Sequence, residues 1–103
     1  MEKDKFLKFL GLVKKSGRLR EGYNKCEETI KAGNSELVII SVDTSLNTKD
    51  KFNTYASRFH TEIIEYFTKE ELGDALGRPE INILCITDKN MSKKLLELWQ
   101  KKI

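Results

Sequence analysis

The chain has few of the residues that mark several common classes of protein. Its 103 residues include two cysteines and one histidine, which are too few for a disulfide framework or a structural zinc site. No apolar run approaches the roughly 20 residues of a membrane-spanning helix, and charges interrupt the amino-terminal apolar positions, unlike a secretory signal. Glycine-rich phosphate loops are absent, which argues against a nucleotide cofactor. We therefore expect a cytoplasmic protein with reduced thiols, no metal, no cofactor and no membrane contact.

Charge is distributed unevenly, although its overall balance is modest. Nineteen Lys and Arg residues against 16 Asp and Glu residues give a formal net charge of +3. Residues 1–25 contain eight basic and three acidic side chains, residues 62–80 contain two and six, and residues 89–102 contain five and one. Such asymmetry is compatible with a basic face for a polyanion. Charged runs also simply solvate helix surfaces, but here several cations fall on a turn and a helix start.

Hydrophobic spacing predicts five helices that alternate with four short strands. The strands are expected at residues 18–21, 36–43, 61–67 and 81–88. The helices are expected at residues 3–14 and 22–32, after Asn47 as N-cap, after a capping box of Thr68 and Glu71, and after residue 88, closing at Lys101 and Lys102. This order predicts an α/β fold, a three-layer α/β/α sandwich with a small mixed four-stranded sheet, as one domain over residues 1–103.

The second predicted helix begins after a glycine and has a polar outer face. Asn24, Lys25 and Glu28 lie opposite its apolar stripe. They offer an amide, a mobile cation and two acceptor oxygens within a turn and a half. A helix start preceded by Gly22 and flanked by cations is a favourable place for an anion. This set could read base edges or hold a phosphate, or it could be an ordinary surface with a Lys25–Glu28 ion pair.

Two segments carry a resemblance to a known family. The stretch GYNKCEETIKAGNSELVIISVD resembles the ribosomal protein L7Ae family, small α/β/α proteins that recognise kink-turns in RNA, and Gly22, Asn24 and Asp43 match its pattern. The stretch LGDALGRPEINILCI resembles the family's leucine–glycine helix, arginine–proline turn and last strand; the matching residues are Leu72, Gly73, Gly77, Arg78 and Pro79. The opening FLGLVKKSGRLREG and the ending ITDKNMSKKLLELW are similar to the bacterial YlxQ-like branch of that family.

Two charges depart from the family pattern. Lys25 stands where kink-turn binders carry an acid, and Glu28 stands where they carry a basic residue. In the family that acid accepts hydrogen bonds from guanine, which a lysine cannot do. The turn before the last strand is also shorter than in kink-turn binders. The resemblance therefore implies RNA binding as a class more directly than strict kink-turn recognition.

The resemblance and the charges together predict a non-catalytic RNA-binding protein that recognises a structured RNA, bulged or kink-turn-like. We expect it to be a monomer associated with the ribosome. Gly22 would allow close approach, Asn24 would read a base edge or cap the helix, and Lys14 is a further candidate for phosphate neutralisation. The RNA-binding residues are expected to be Lys15, Arg18, Arg20, Gly22, Asn24, Lys25, Glu28 and Arg78. The alternative is a protein-interaction module on the same scaffold with little RNA affinity.

Other chemically suggestive residues have structural explanations that we favour. Asp43 could be a phospho-acceptor, but the acidic pair that receiver domains need is missing, so it is expected to organise a turn. His60 has no nearby nucleophile and is expected to cap a helix or remain solvated. Cys26 and Cys85 are expected to be buried as small hydrophobic residues. Tyr23 could stack on a base, but its place on the apolar stripe favours packing.

Overall fold

The computed structural model describes residues 2–100, which form the nine predicted elements. The helices are α1 (Lys3–Lys15), α2 (Tyr23–Lys31), α3 (Leu46–Arg58), α4 (Lys69–Leu76) and α5 (Lys89–Gln100). The strands are β1 (Leu19–Glu21), β2 (Leu37–Ile40), β3 (Glu62–Glu65) and β4 (Ile83–Ile86). Each strand is shorter than predicted, because the ends of the apolar runs continue into turns. Lys101 and Lys102, expected to close the last helix, lie outside the described residues.

The four strands form one mixed sheet in the order β1-β4-β2-β3. β4 runs antiparallel to both β1 and β2, whereas β2 and β3 are parallel. All residues of β2 and β4 are buried, as expected for central strands that helices cover on both faces. The predicted mixed four-stranded sheet is confirmed.

Helices cover both faces of the sheet. On one face, α1, α4 and α5 enclose a core that includes Phe6, Leu72 and Leu95, with the Phe6 and Phe67 ring centroids 5.0 Å apart. On the other face, α2 and α3 pack against the sheet around Phe52. The molecule is thus the predicted three-layer α/β/α sandwich. No helix within residues 2–100 is long and apolar enough to cross a bilayer.

The N-terminal cap of α3 differs from the prediction. Ser45, not Asn47, is the N-cap, and its hydroxyl accepts a hydrogen bond from the Thr48 N–H at 3.2 Å. The backbone of Ser45 is extended, with ψ 151°, whereas Asn47 already lies in the first helical turn. The predicted capping box of α4 is confirmed, with both Thr68 and Glu71 contributing their side chains.

His60 ends α3 in the left-handed conformation, with φ 55°. The following N–H, from Thr61, donates to the carbonyl of Ala56 at 2.9 Å, which is the bond of a Schellman cap. In α4 the same position after the last turn is taken by Gly77. His60 therefore lies at the helix end, as predicted, with an exposed side chain, and its backbone is strained relative to glycine.

Candidate nucleic-acid interface

The start of α2 carries no side-chain cap. Gly22 is the N-cap residue, with φ 95° and ψ 164°, and its N–H donates to the carbonyl of Ile83 at 2.9 Å. Among residues 2–100, no acceptor is found for the N–H groups of Tyr23, Asn24 and Lys25. These three donors and the positive end of the helix dipole remain open to a ligand.

Three other helix starts are closed by side chains. Ser45 caps α3 and Thr68 caps α4. In α5, a carboxylate oxygen of Asp88 accepts the N–H of Met91 at 2.8 Å. The uncapped start of α2 is therefore not a general property of this fold.

The outer face of α2 presents the side chains that the helical periodicity predicted. Asn24, Lys25 and Glu28 are all exposed. No ion pair joins Lys25 to Glu28 in the described part of the chain, although both side chains are described. Asn24 is the second residue of the helix and does not cap it, so the capping role considered for this residue is wrong. Its amide is free to contact a ligand.

Arg78 lies in the turn after α4 and contacts Glu21, the last residue of β1. Its N–H donates to the carbonyl of Gly73 at 2.9 Å, which closes the end of α4. Its guanidinium Nη1 lies 3.2 Å from Oε1 of Glu21, the residue immediately before Gly22. We call the group formed by Gly22, Asn24, Lys25 and Arg78 the helix-start rim.

The position of this turn depends on Gly73. A Cβ atom at Gly73 would lie 2.7 Å from the carbonyl oxygen of Arg78 and 2.7 Å from Cα of Glu80. Both distances are shorter than side-chain carbons tolerate, and both neighbours are backbone atoms. The absence of a side chain at Gly73 thus lets the turn pack directly on α4.

The remaining predicted residues form a second group around β1, with Arg18 and Arg20 at the strand, Lys15 at the end of α1 and Glu28 on α2. Lys15, Arg18, Arg20 and Glu28 are exposed, and we call this group the β1 flank. Arg20 Nη1 donates to the carbonyls of Gly17 and Leu19, at 3.0 and 3.1 Å, which directs it away from the helix-start rim. Arg18 is four residues before Gly22, or about 13 Å along an extended chain.

The β1 flank borders a polar cleft. Arg18 and Arg20 line it from the start of β1, Glu28 lines it from α2, and its other lining residues include Asn34, Glu36 and Thr87 but not Lys15. The predicted single site is therefore two adjoining groups, the helix-start rim and the β1 flank, joined by the length of β1.

Comparison with known proteins places this arrangement in a family. The model of the ribosomal protein L7Ae/L30e/S12e/Gadd45 family matches residues 4–97. The chain belongs to this family. The resemblance that the sequence motifs predicted is confirmed.

Individual members of the family match nearly the whole chain. RNA-binding protein YlxQ of Enterococcus faecium is 27% identical over 96 residues, which cover 93% of this chain and 92% of that protein. Large ribosomal subunit protein eL30 of Dictyostelium discoideum is 32% identical over 94 residues, covering 89% and 84%. The structure of a protein with unknown function from Bacillus halodurans C superposes with a TM-score of 0.91 at 27% identity, covering 94% and 98%. The chain belongs to the bacterial YlxQ-like branch of the L7Ae family.

Lys14, a cation that we expected to neutralise phosphate, instead contacts other groups of this L7Ae-family protein. Lys14 Nζ donates to the carbonyl of Leu76 at 2.8 Å and lies 3.4 Å from Oε2 of Glu21. These contacts join α1, α4 and β1. The expectation that Lys14 neutralises RNA phosphate is therefore not supported. The sequence holds no signal for the part played by Glu21, because Arg78 is 57 residues away and Lys14 belongs to another element.

Tyr23 and the cysteines have the structural roles that the sequence favoured. The Tyr23 ring packs edge-on against Phe52, with centroids 5.1 Å apart, and Lys51 Nζ lies 5.3 Å from its centroid. Cys26 and Cys85 are fully buried and free. The neighbouring Cys85 thiol and burial raise the pKa of Cys26 above its usual range, which keeps the thiol protonated and unreactive.

Asp43, which matches the family pattern, ties its turn to α4. Its Oδ1 accepts the N–H of Lys69 at 3.0 Å. Desolvation opposes its ionisation, but the hydrogen bond from this N–H and the charge of Lys69 lower the pKa of the carboxylate. Asp43 therefore lies in the turn before α3 and bonds the start of α4, while its predicted role in organising that turn stays a prediction.

Proposed function

We propose that this chain is a non-catalytic RNA-binding protein that acts as one domain and binds structured RNA, bulged or kink-turn-like. The observation that carries the proposal is the uncapped start of α2, where free N–H groups, Asn24 and Lys25 follow Glu21, the residue that Arg78 contacts. The name of the YlxQ relative, an RNA-binding protein, supports the RNA-binding class. The name of the eL30 relative supports association with the ribosome. We propose further that the protein is cytoplasmic and monomeric and needs no cofactor.

Each group of residues has its own role in this proposal. On the helix-start rim, Lys25 and Arg78 contact phosphate, Asn24 reads a base edge, and Gly22 lets the RNA approach the backbone. On the β1 flank, Lys15, Arg18 and Arg20 contact phosphates further along, with Glu28 orienting or reading. Arg18 and Gly22 are about 13 Å apart along the extended strand, so the two groups contact different phosphates of the RNA.

The recognition role of Asn24 is tested by binding measurements with three RNAs. A kink-turn RNA, a bulged RNA and a plain duplex are titrated with the protein at two salt concentrations. We expect wild type to prefer a structured RNA, and Asn24→Ala to abolish the preference. A base-edge contact worth about 1–3 kcal/mol corresponds to a loss of roughly 5- to 150-fold in affinity.

Asn47→Ala is the matched control for this variant. Asn47 is also the exposed second residue of a helix, but α3 is capped by Ser45. The Asn47→Ala variant should therefore bind all three RNAs as wild type does. A structured-RNA preference that survives Asn24→Ala would remove Asn24 from the site.

Salt dependence tests the phosphate contacts of the two groups. Replacing Lys25 on the rim, or Arg18 on the β1 flank, by Gln should flatten the slope of log affinity against log salt by about one unit. Arg58→Gln is the control, because Arg58 is exposed at the end of α3. An unchanged slope for Arg18→Gln would restrict the interface to the helix-start rim.

The exchanged charges on α2 give a test of the docking mode. Lys25→Glu combined with Glu28→Lys should raise affinity for the kink-turn RNA, because a carboxylate at residue 25 can accept hydrogen bonds from guanine. The control is the exchange of Lys93 and Glu97, two exposed residues of α5. This exchange also preserves the net charge of the protein. If the α2 exchange leaves kink-turn affinity unchanged, the chain does not dock as kink-turn binders do.

The same exchanged charges favour one alternative function. A protein-interaction module on this scaffold would have no need of an acid at residue 25. Uniform weak binding to all three RNAs would favour this alternative, because nonspecific attraction to phosphate does not distinguish RNA shapes.

A further inference from the structure

The carboxylate of Glu21 joins two cations beside the helix-start rim. Its Oε1 lies 3.2 Å from Arg78 Nη1, and its Oε2 lies 3.4 Å from Lys14 Nζ. The Glu21 side chain is 18% exposed, against 45% for Arg78. One of the two cations that the rim would offer to RNA phosphates, Arg78, is therefore already paired with a carboxylate of the protein.

The two contacts of Glu21 are held differently. Lys14 is anchored, because its Nζ also donates to the carbonyl of Leu76 at 2.8 Å. Arg78 reaches Glu21 through one nitrogen and one oxygen, not through the two parallel bonds that make Arg–carboxylate pairs strong. If Arg78 moves away, Glu21 keeps its ion pair with Lys14, so its carboxylate is not left without a cationic partner.

We propose that Glu21 stands in for an RNA phosphate in the free protein, and that bound RNA takes Arg78 from it. This inference rests on the proposed RNA-binding function. A phosphate presents two oxygens to the planar guanidinium and is the stronger partner. Because the exchange gives up an existing ion pair, Glu21 lowers affinity for RNAs that contact Arg78 through a phosphate.

Four proteins test the exchange: wild type, Glu21→Gln, Arg78→Gln and the double variant. Their affinities for the bulged RNA form a double-mutant cycle. We expect Glu21→Gln to bind about 2- to 5-fold more tightly, the range that corresponds to one partly exposed ion pair. We expect no such gain when Arg78 is already Gln, because no cation is then released.

Glu80→Gln is the matched control. Glu80 lies two residues after Arg78, borders the same cleft as Gly22, and pairs with Lys69 at 3.5 Å. Its replacement removes the same charge from the same neighbourhood without releasing Arg78. Any gain it produces measures general repulsion of RNA and should be equal with and without Arg78.

The outcomes separate the inference from the function on which it rests. A gain for Glu21→Gln that disappears with Arg78→Gln supports the exchange. An equal gain in both backgrounds overturns it, and weaker binding of Glu21→Gln overturns it too, since Glu21 would then position Arg78 for RNA. If RNA preference still depends on Asn24 while Glu21→Gln has no effect, only the exchange fails. If none of the four proteins, wild type included, binds RNA, both the exchange and the proposed RNA-binding function fail.

Discussion

Gly73 offers a direct test of how α4 holds the turn that carries Arg78. A Cβ atom there would lie 2.7 Å from the carbonyl oxygen of Arg78 and from Cα of Glu80. Gly73→Ala must therefore displace backbone, and overpacking of this kind typically costs about 1–3 kcal/mol. Alanine is favoured over glycine inside a helix by about 1 kcal/mol, which offsets part of that cost. We expect the free energy of unfolding to fall by up to about 2 kcal/mol.

Gly11→Ala is the matched control for this substitution. Gly11 is also inside a helix, but the nearest atom to its Cβ, the carbonyl oxygen of Ala75, is 3.4 Å away. Alanine fits there, so helix propensity should raise the free energy of unfolding by up to about 1 kcal/mol. The sign of the change is therefore expected to differ between the two positions.

Urea unfolding monitored by the fluorescence of the single tryptophan, Trp99, measures both variants. Trp99 packs on Tyr66, with ring centroids 5.2 Å apart, so unfolding changes its surroundings. In thermal melts, 1 kcal/mol should correspond to roughly 4–8 °C in Tm for a domain of this size. Gly73→Ala as stable as Gly11→Ala would refute the close packing of the turn on α4.

Three further predictions concern helix ends and one side-chain contact. Ser45→Ala should lower the free energy of unfolding by about 0.5–2 kcal/mol, and Asn47→Ala should change it little; equal losses in urea would restore Asn47 as a cap. His60→Gly should raise the free energy of unfolding by up to about 1 kcal/mol. The left-handed conformation costs residues other than glycine about 1–2 kcal/mol, but glycine also gives the unfolded chain more conformational entropy, which cancels part of the gain. A lower free energy of unfolding for His60→Gly would contradict the strain. The Tyr55 hydroxyl donates to Glu27 at 2.6 Å and lowers the pKa of that carboxylate. A lowered pKa stabilises the fold above about pH 4.3, the ordinary value for Glu, and this stability is lost as pH falls through the lowered value. The stability deficit of Tyr55→Phe should therefore shrink on acidification, and a deficit independent of pH would contradict the role of Glu27.

Local patterns predicted the elements and their layers. The stripe of Phe6, Leu10 and Val13 predicted α1, and these residues are fully buried. Apolar spacing identifies elements because only one side of a surface helix reaches the core, whereas both sides of a central strand do. The cap of α3 was predicted at the wrong residue because the segment DTSLNTKD holds several polar side chains able to cap. Only the extended backbone at Ser45 distinguishes it from Asn47.

The candidate site was predictable in part. Exposure of Asn24 and Lys25 follows from the helical period, and both are exposed. The division into two groups was not predictable, because it depends on the direction of β1 and on the turn of Arg20 toward Gly17. The same holds for Lys14, whose hydrogen bond to the end of α4 joins two helices that are distant along the chain.

The sequence by itself determined the layers of the sandwich, the family and the polar outer face of α2. These depend on contacts between near neighbours and on short motifs, which can be read along the chain. Only the tertiary structure decided that Arg78 meets Glu21, 57 residues away, and that this pair stands beside the open start of α2. Contacts between residues so far apart in the sequence arise when α4 packs on the sheet that contains β1. No local pattern specifies which charges this packing brings together.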